Sequence, residues 1–358
     1  MIHGKYVEVE PVILDYLTKK NIHFFYFCGG RGTGKTYGAL DMCKRIGCGE
    51  LHLDNDTSFR EKFLYLRRTG VEAQACSTPE ASPFKTYNRN EGTDITVDYN
   101  NTIQIGNFYS TVDGEKEHIG YSCALSTFSN LRGVDFSDVS LILFDECIPE
   151  KGKRNTVKDI GTLLLNMLET VNRNRALEGR NEIVLCMLSN PIDLGDDLLT
   201  QLKFTAILNN MTFRNQQRYT DEQRSLHIER YINHRISEEK KNSALYKFAT
   251  DAFYEQSLSG EFTDNYLGNI KKVNLKEYNA LLSIDGVCVF RHKSETLFHI
   301  CFSDAPAKYM FEASQREKIK EMFYFQYKRL VINNLVTYDS YASKVAFEQM
   351  IKYKESYY

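Results

Sequence analysis

What this chain lacks narrows it first. No apolar stretch approaches the roughly 20 residues that a helical membrane span needs, and the opening MIHGKYVEVEP lacks the charged-then-apolar layout of a secretion signal. Neither a membrane nor a secreted protein is expected. The nine cysteines (Cys28, Cys43, Cys48, Cys76, Cys123, Cys147, Cys186, Cys288 and Cys301) form no CxxC pair, and the eight histidines complete no zinc spacing. They read as reduced thiols of a cytosolic protein. There is no basic surplus: 45 Lys and Arg against 47 Asp and Glu leave a formal charge of −2. That argues against a protein that coats nucleic acid, though not against a local basic surface such as the lining of a ring. Internal repeats and low-complexity segments are absent too. At 358 residues, 42% hydrophobic and 26% charged, the chain has the length for two ordinary globular domains.

What is present alternates between strand and helix. HFFYFC (23–28) is a short buried strand, KTYGALDMCKRIG a helix stopped by Gly47 and Gly49, and KFLYLRRT (62–69) a second strand. DITVDYNNTIQIG (94–106) reads as a hairpin about Asn100-Asn101. VSLILFDE (139–146) is a continuous apolar strand ending in two acids. TVKDIGTLLLNMLETVNRNR (156–175) has helical spacing, and EIVLCMLSN (182–190) is another apolar strand. Near-continuous apolar strands between helices indicate a mostly parallel sheet covered on both faces.

GGRGTGKT, Gly29 to Thr36, supplies the chemistry. Gly29, Gly30, Gly32 and Gly34 let backbone N–H groups face a phosphate, and Arg31 and Thr33 complete the loop. The following helix adds the positive end of its dipole. Lys35 is placed for the β- and γ-phosphates and Thr36 for Mg²⁺. Asp145, emerging from LILFDE, is the expected partner of that ion, and Glu146 beside it suits polarisation of an attacking water. The pair points to ATP hydrolysis rather than to phosphoryl transfer between small molecules. Asn190 ends the next strand, where open parallel sheets place ligands; a plain Asn-Pro turn before Pro191 is the alternative. Arg31, Arg67, Arg68, Arg132, Arg173 and Arg175 surround the expected site, and any one of them can be an ordinary surface arginine. Their number favours a transition-state cation among them.

GGRGTGKTY, LILFDECIPEKGKR, LLNMLETVNRNR and LSNP, in this order, resemble the DNA-packaging ATPases of phi29-like tailed phages, compact relatives of the terminase large subunits. The match is close over residues 20 to 195 and loose elsewhere, although FYEQSLSGEFTDN (253–265) is similar to the segment joining motor and nuclease domains in terminases. The resemblance implies a ring motor, a homopentamer at the portal (connector) vertex of a procapsid, driving double-stranded DNA inward with ATP and Mg²⁺. It implies work in the host cytoplasm, no membrane, and allows a packaging RNA as a further partner. Arg173 matches the family's arginine finger acting in trans, and Arg132 a second basic residue reaching a neighbour's site.

The expected fold is α/β: a P-loop ATPase of the ASCE type with a mostly parallel sheet over 1–205, a helical linker over 206–262, and a small α+β C-terminal domain over 263–358. The last resembles a degenerate RNase H-like nuclease. The linker reading rests on polar composition, with nine Lys or Arg against five Asp or Glu from Lys203 to Lys247; Arg214, Arg218, Arg224 and Arg230 are its candidate DNA contacts. In the C-terminal part, ALLSIDGVCVFRHKSETLFHICFS reads as two strand-like runs, with Asp285 on the first strand of a hairpin and Asp304 after the second. A full terminase with a working metal-dependent nuclease, and a non-motor P-loop protein, are the rival readings.

Overall fold

The structure is a computed structural model that describes residues 7–131, 133–149, 157, 159–173, 175–191, 194–231, 239, 242–248, 269–271 and 273–351. They fall into two compact units, one within Met1–Asp193 and Arg214–Thr263, the other within Leu194–Phe213 and Asp264–Tyr358.

The first unit is built on a nine-stranded sheet. In chain order its strands are β1 (Phe24–Gly29), β2 (Lys62–Arg67), β3 (Thr96–Asn100), β4 (Ile105–Val112), β5 (Glu115–Ala124), β6 (Val139–Phe144), β7 (Val184–Ser189), β8 (Arg218–Asp221) and β9 (Leu226–Tyr231). Their order in space is β3-β4-β5-β2-β6-β7-β1-β9-β8. From β5 to β9 every neighbouring pair is parallel, and antiparallel hairpins finish both edges. All six residues of β6 and of β7 are buried, as their unbroken apolar runs require. Helix α1 (Val9–Lys20) precedes β1, and helix α2 (Lys35–Gly47) follows it. Along α2, Ala39, Leu40, Met42, Cys43 and Ile46 face a core that includes Phe25, Phe27, Tyr65 and Leu143. Each such large apolar side chain contributes about 1.5–3 kcal/mol on burial.

Helices α3 (Gly70–Cys76) and α4 (Phe84–Glu91) follow β2, and α5 (Ile160–Asn172) lies between β6 and β7. Ile160, Leu164, Met167, Leu168 and Val171 form the buried stripe of α5. The helix stops at Asn172, so Arg173 and Arg175 lie beyond it rather than on its last turn.

Two further expectations are corrected here. Residues 218–231 are not helical; they form the hairpin β8–β9, whose second strand pairs parallel with β1. The polar composition misleads because the polar groups of the hairpin satisfy one another. His227 Nε2 lies 3.2 Å from Glu229 Oε1, and Arg218 Nε lies 2.9 Å from the same oxygen. Arg230, a candidate DNA contact, is buried. The terminase-like segment 253–265 lies outside the described residues.

The second unit contains α6 (Asp197–Gln201), α7 (Phe204–Phe213) and a five-stranded sheet. Its strands are β10 (Tyr278–Ile284), β11 (Val287–His292), β12 (Phe298–Phe302), β13 (Tyr309–Phe311) and β14 (Val336–Tyr338), in the order β13-β10-β11-β12-β14. The first apolar run expected here is therefore two strands. Asp285 is not on a strand: with φ +42° before Gly286 at φ +80°, it makes the two-residue turn between β10 and β11. An Asp-Gly pair favours that turn, in which both central residues take positive φ. Asp304 follows β12 as expected. Helices over Arg316–Ile332 and Tyr341–Met350 complete the unit.

Candidate functional site

The parallel register brings four strand ends to one edge. Cys28 pairs with Ser189, Met187 with Phe144, and Phe144 with Leu66. Because β7 lies between β1 and β6, Asn190 sits between the glycine loop and the Asp145-Glu146 pair. A cavity of about 350 Å³ opens there, lined by Arg31 to Tyr37, Asp145, Glu146 and Leu188 to Asn190.

The loop is shaped by its glycines where shape demands them. Gly34 takes φ +88° as the residue capping α2, and a Cβ on Gly29 would come within 2.8 Å of Tyr231. No side chain caps the N-terminus of α2, which leaves its first N–H groups facing the cavity. Lys35 is buried and folds over the loop. Its Nζ donates to Gly29 O at 2.6 Å, Gly30 O at 3.0 Å and Thr33 Oγ1 at 3.2 Å.

Thr36 Oγ1 donates to Asp145 Oδ1 at 3.1 Å, across the cavity floor. The other oxygen of Asp145 accepts from Tyr65 OH at 2.9 Å and lies 3.8 Å from Arg67 Nη1. Burial pushes the Asp145 carboxyl above its ordinary range; the Arg67 guanidinium is the largest influence pulling it back, followed by the Tyr65 hydroxyl. Glu146 differs. Its side chain is 57% exposed, Arg67 Nη2 donates to its Oε2 at 2.6 Å, and its backbone sits at φ +49°. A left-handed non-glycine residue at such a site stores about 1–3 kcal/mol that the surroundings must hold. Its own N–H, donating to Asp145 Oδ1 at 3.0 Å, is part of that holding.

The arginines separate into distinct jobs. Arg31 borders the cavity, and Arg67 grips the two acids of its own chain. Arg68 is buried, with Nη1 donating to Cys147 O at 2.7 Å. Arg175 is also buried and paired with Asp54 at 2.9 Å, which removes it as a finger. Arg173 is exposed and is not among the residues lining the cavity. Arg132 lies outside the described residues. Sequence reasoning passed over Tyr65, Tyr37 and Ser189. The one signal for Tyr65 was its place on an apolar strand two residues before Arg67; the pairing of that strand with LILFDE appears only in the fold.

A glycine loop between a buried strand and an uncapped helix, with a carboxylate two strands away on the same edge, defines a P-loop α/β protein. The chain belongs to the family of the podovirus DNA encapsidation protein (Gp16), whose model matches residues 13–284, more than half of it. It is 28% identical over 170 residues to the DNA packaging proteins of Bacillus phages PZA and phi29, a match covering 47% of this chain and 43% of theirs. The chain thus spans less than half the length of those relatives in the match. Its fold is similar over 98% of its length to a chain of the bacteriophage Phi-29 viral genome packaging motor assembly, covering 99% of that chain, at 16% identity and a TM-score of 0.61. The Phi-28 gp11 DNA packaging motor matches over 96% of this chain and 98% of that one, at 18% identity and 0.59.

Proposed function

We propose that this chain is the ATP-hydrolysing subunit of a ring motor that drives double-stranded viral DNA through the portal into a procapsid. The observation that carries the reading is the meeting of the glycine loop, Asp145 and Glu146 at one cavity in a chain of the encapsidation family. The residues fit a magnesium–triphosphate. Lys35 donates to loop oxygens, the carbonyls of Gly29 and Gly30 and the Thr33 hydroxyl, that phosphate oxygens can replace. Thr36 Oγ1 and Asp145 Oδ1, 3.1 Å apart, are the oxygens that would hold the metal. When bound, Mg²⁺ offsets charge on the β- and γ-phosphate oxygens.

The chain's own residues do the rest. The N–H groups of the loop and of α2 bind the phosphates. Asn190 lies where a side-chain amide can hydrogen-bond the γ-phosphate or the attacking water. Glu146 orients that water and accepts its proton at Oε1, while Arg67 holds Oε2. Arg173 completes the site of a neighbouring copy, which makes hydrolysis a property of the interface and a ring the natural assembly. The second unit reads as a nuclease-like domain without cutting activity; metal-dependent cleavage of DNA lost in Asp285→Ala would instead make the protein a full terminase.

The basic surface for DNA narrows to Arg214, Arg218 and Arg224, all exposed. ATP turnover of the purified chain is expected to rise with double-stranded DNA and to lose that rise in the Arg214→Ala, Arg218→Ala double variant. Weakening should be independent of sequence and reduce the salt slope by roughly one to two charges. Unchanged DNA stimulation removes these arginines from the DNA path. Absence of ATP turnover under any DNA or salt condition overturns the motor reading.

Arg67 carries a separate expectation. In Arg67→Ala the Asp145 carboxyl loses the strongest influence opposing burial, so its pKa rises further. The metal-binding carboxylate is then lost at a higher pH, and the acidic limb of the rate profile moves upward; Arg67→Lys should move it less. A profile superimposable on the parent's would show that Arg67 does not tune Asp145.

A further inference from the structure

Arg173 sits at a point of backbone strain. It follows α5 with φ +42° and ψ −124°, away from the left-handed helical well in which most non-glycine residues of positive φ lie. A conformation of this kind persists only where the surrounding chain is fixed. The fixing begins at Arg175, which turns inward. Its Nη1 donates to Asp54 Oδ2 at 2.9 Å, and its Nη2 to Ser137 O at 2.8 Å and Val139 O at 2.5 Å. Arg180 Nη2 donates to the same carboxylate oxygen at 2.7 Å and to Ser137 O at 2.9 Å, with its guanidinium 4.6 Å above the Phe59 ring. The Asp54 carboxylate has no exposure at all. Asn181 adds bonds to Leu53 O and Asn55 Oδ1, and Asn55 reaches back to Gly179 O.

Residues 175–181 are thus pinned to the loop at 53–55 and to the entry of β6. The Arg173 side chain is bound far more lightly. It is 46% exposed and donates to the carbonyls of Thr170 and Val134 at 3.2 and 3.1 Å, with Asp135 3.8 Å away. Rigid support under a lightly held, exposed cation is the arrangement a residue needs to meet a ligand outside its own chain at low entropic cost. As a stability element alone the cluster is a poor choice, because two guanidiniums on one buried carboxylate cost more desolvation than apolar packing of equal volume.

We propose that the buried Asp54–Arg175–Arg180 cluster is a positioning device for Arg173, with Asp54 the positioning residue. This rests on the reading of Arg173 as a cation supplied to a neighbouring copy. Asp54→Asn subunits alone should turn over ATP about a hundredfold more slowly, as expected when a transition-state group is displaced by about 1 Å. They should bind a fluorescent ATP analogue with the parent's affinity, since their own cavity is intact. Mixed with Glu146→Gln subunits, which keep an intact Arg173 and its mount, they should regain turnover. Arg180→Gln leaves the Asp54–Arg175 pair in place and serves as the milder variant, with the same rescue, should Asp54→Asn not fold. The control mixture of Arg173→Ala with Glu146→Gln tells the two ideas apart. Recovery in the control but in neither mount variant overturns the mount. No recovery in the control overturns the reading beneath it, and the mount with it. Parent-like turnover by both mount variants unmixed also sinks the proposal.

Discussion

Exchange of Glu146 for Gln is expected to lower ATP turnover about 10²–10⁴-fold, the usual contribution of a positioned proton acceptor, while nucleotide affinity stays near the parent's. The amide keeps the shape of the side chain and can still accept a hydrogen bond from Arg67 Nη2, now 2.6 Å from Oε2. What it loses is the negative charge that draws a proton from water. Two observations favour Glu146 over Asp145 as the proposed acceptor. Asp145 is buried and committed on both oxygens, to Thr36 and to Tyr65, whereas Glu146 is more than half exposed, with Oε1 outside the Arg67 bond. Asp145→Asn should therefore differ, with metal-dependent nucleotide affinity falling together with turnover. Single-turnover hydrolysis and titration with a fluorescent ATP analogue separate the two. Glu146→Gln retaining a tenth or more of the parent rate would show that Glu146 is not the proton acceptor.

How much of this was legible in the sequence follows from where each residue's constraint lies. The loop from Gly29 to Thr36 was readable because its demands are local: glycine where backbone must face a phosphate, and a helix start directly after. LILFDE was readable because a strand buried on both faces has to be unbrokenly apolar. The role of Arg67 was not. Its grip on Glu146, 79 residues away, depends on β2 lying beside β6 in register, so the sequence showed only an arginine at a strand end. Arg175 was opaque for the same reason, since its partner Asp54 is 121 residues away. The β8–β9 hairpin failed differently. Its residues are polar enough to suggest a solvated helix, and only the internal pairing of His227, Glu229 and Arg218 makes burial beside β1 tolerable. In the second unit the clue was present in the Asp285-Gly286 pair and passed over, because the apolar run on either side of it looks continuous.

Arg173→Ala is expected to cost the assembled protein about 10³–10⁵ in ATP turnover, the range for loss of a cation that neutralises transition-state charge. An isolated subunit should bind nucleotide as before. The residue is exposed, is not among those lining the cavity of its own chain, and makes only light contacts that a phosphate can outcompete. If it serves a neighbour, the defects of Arg173→Ala and Glu146→Gln must reside in different halves of one composite site. An Arg173→Ala subunit still offers a sound Glu146, and a Glu146→Gln subunit still offers a sound Arg173. Random mixing in a head-to-tail ring makes the sound pairing most frequent at equal proportions, about one interface in four. Turnover plotted against mixing ratio should therefore rise from near zero, peak at the centre and fall again. A flat line at the level of the two unmixed variants would mean that Arg173 acts within its own chain, and full turnover by Arg173→Ala alone that it does not act at all. Arg173→Lys should recover little, because a single ammonium does not reproduce the planar fork that a guanidinium presents to phosphoryl oxygens.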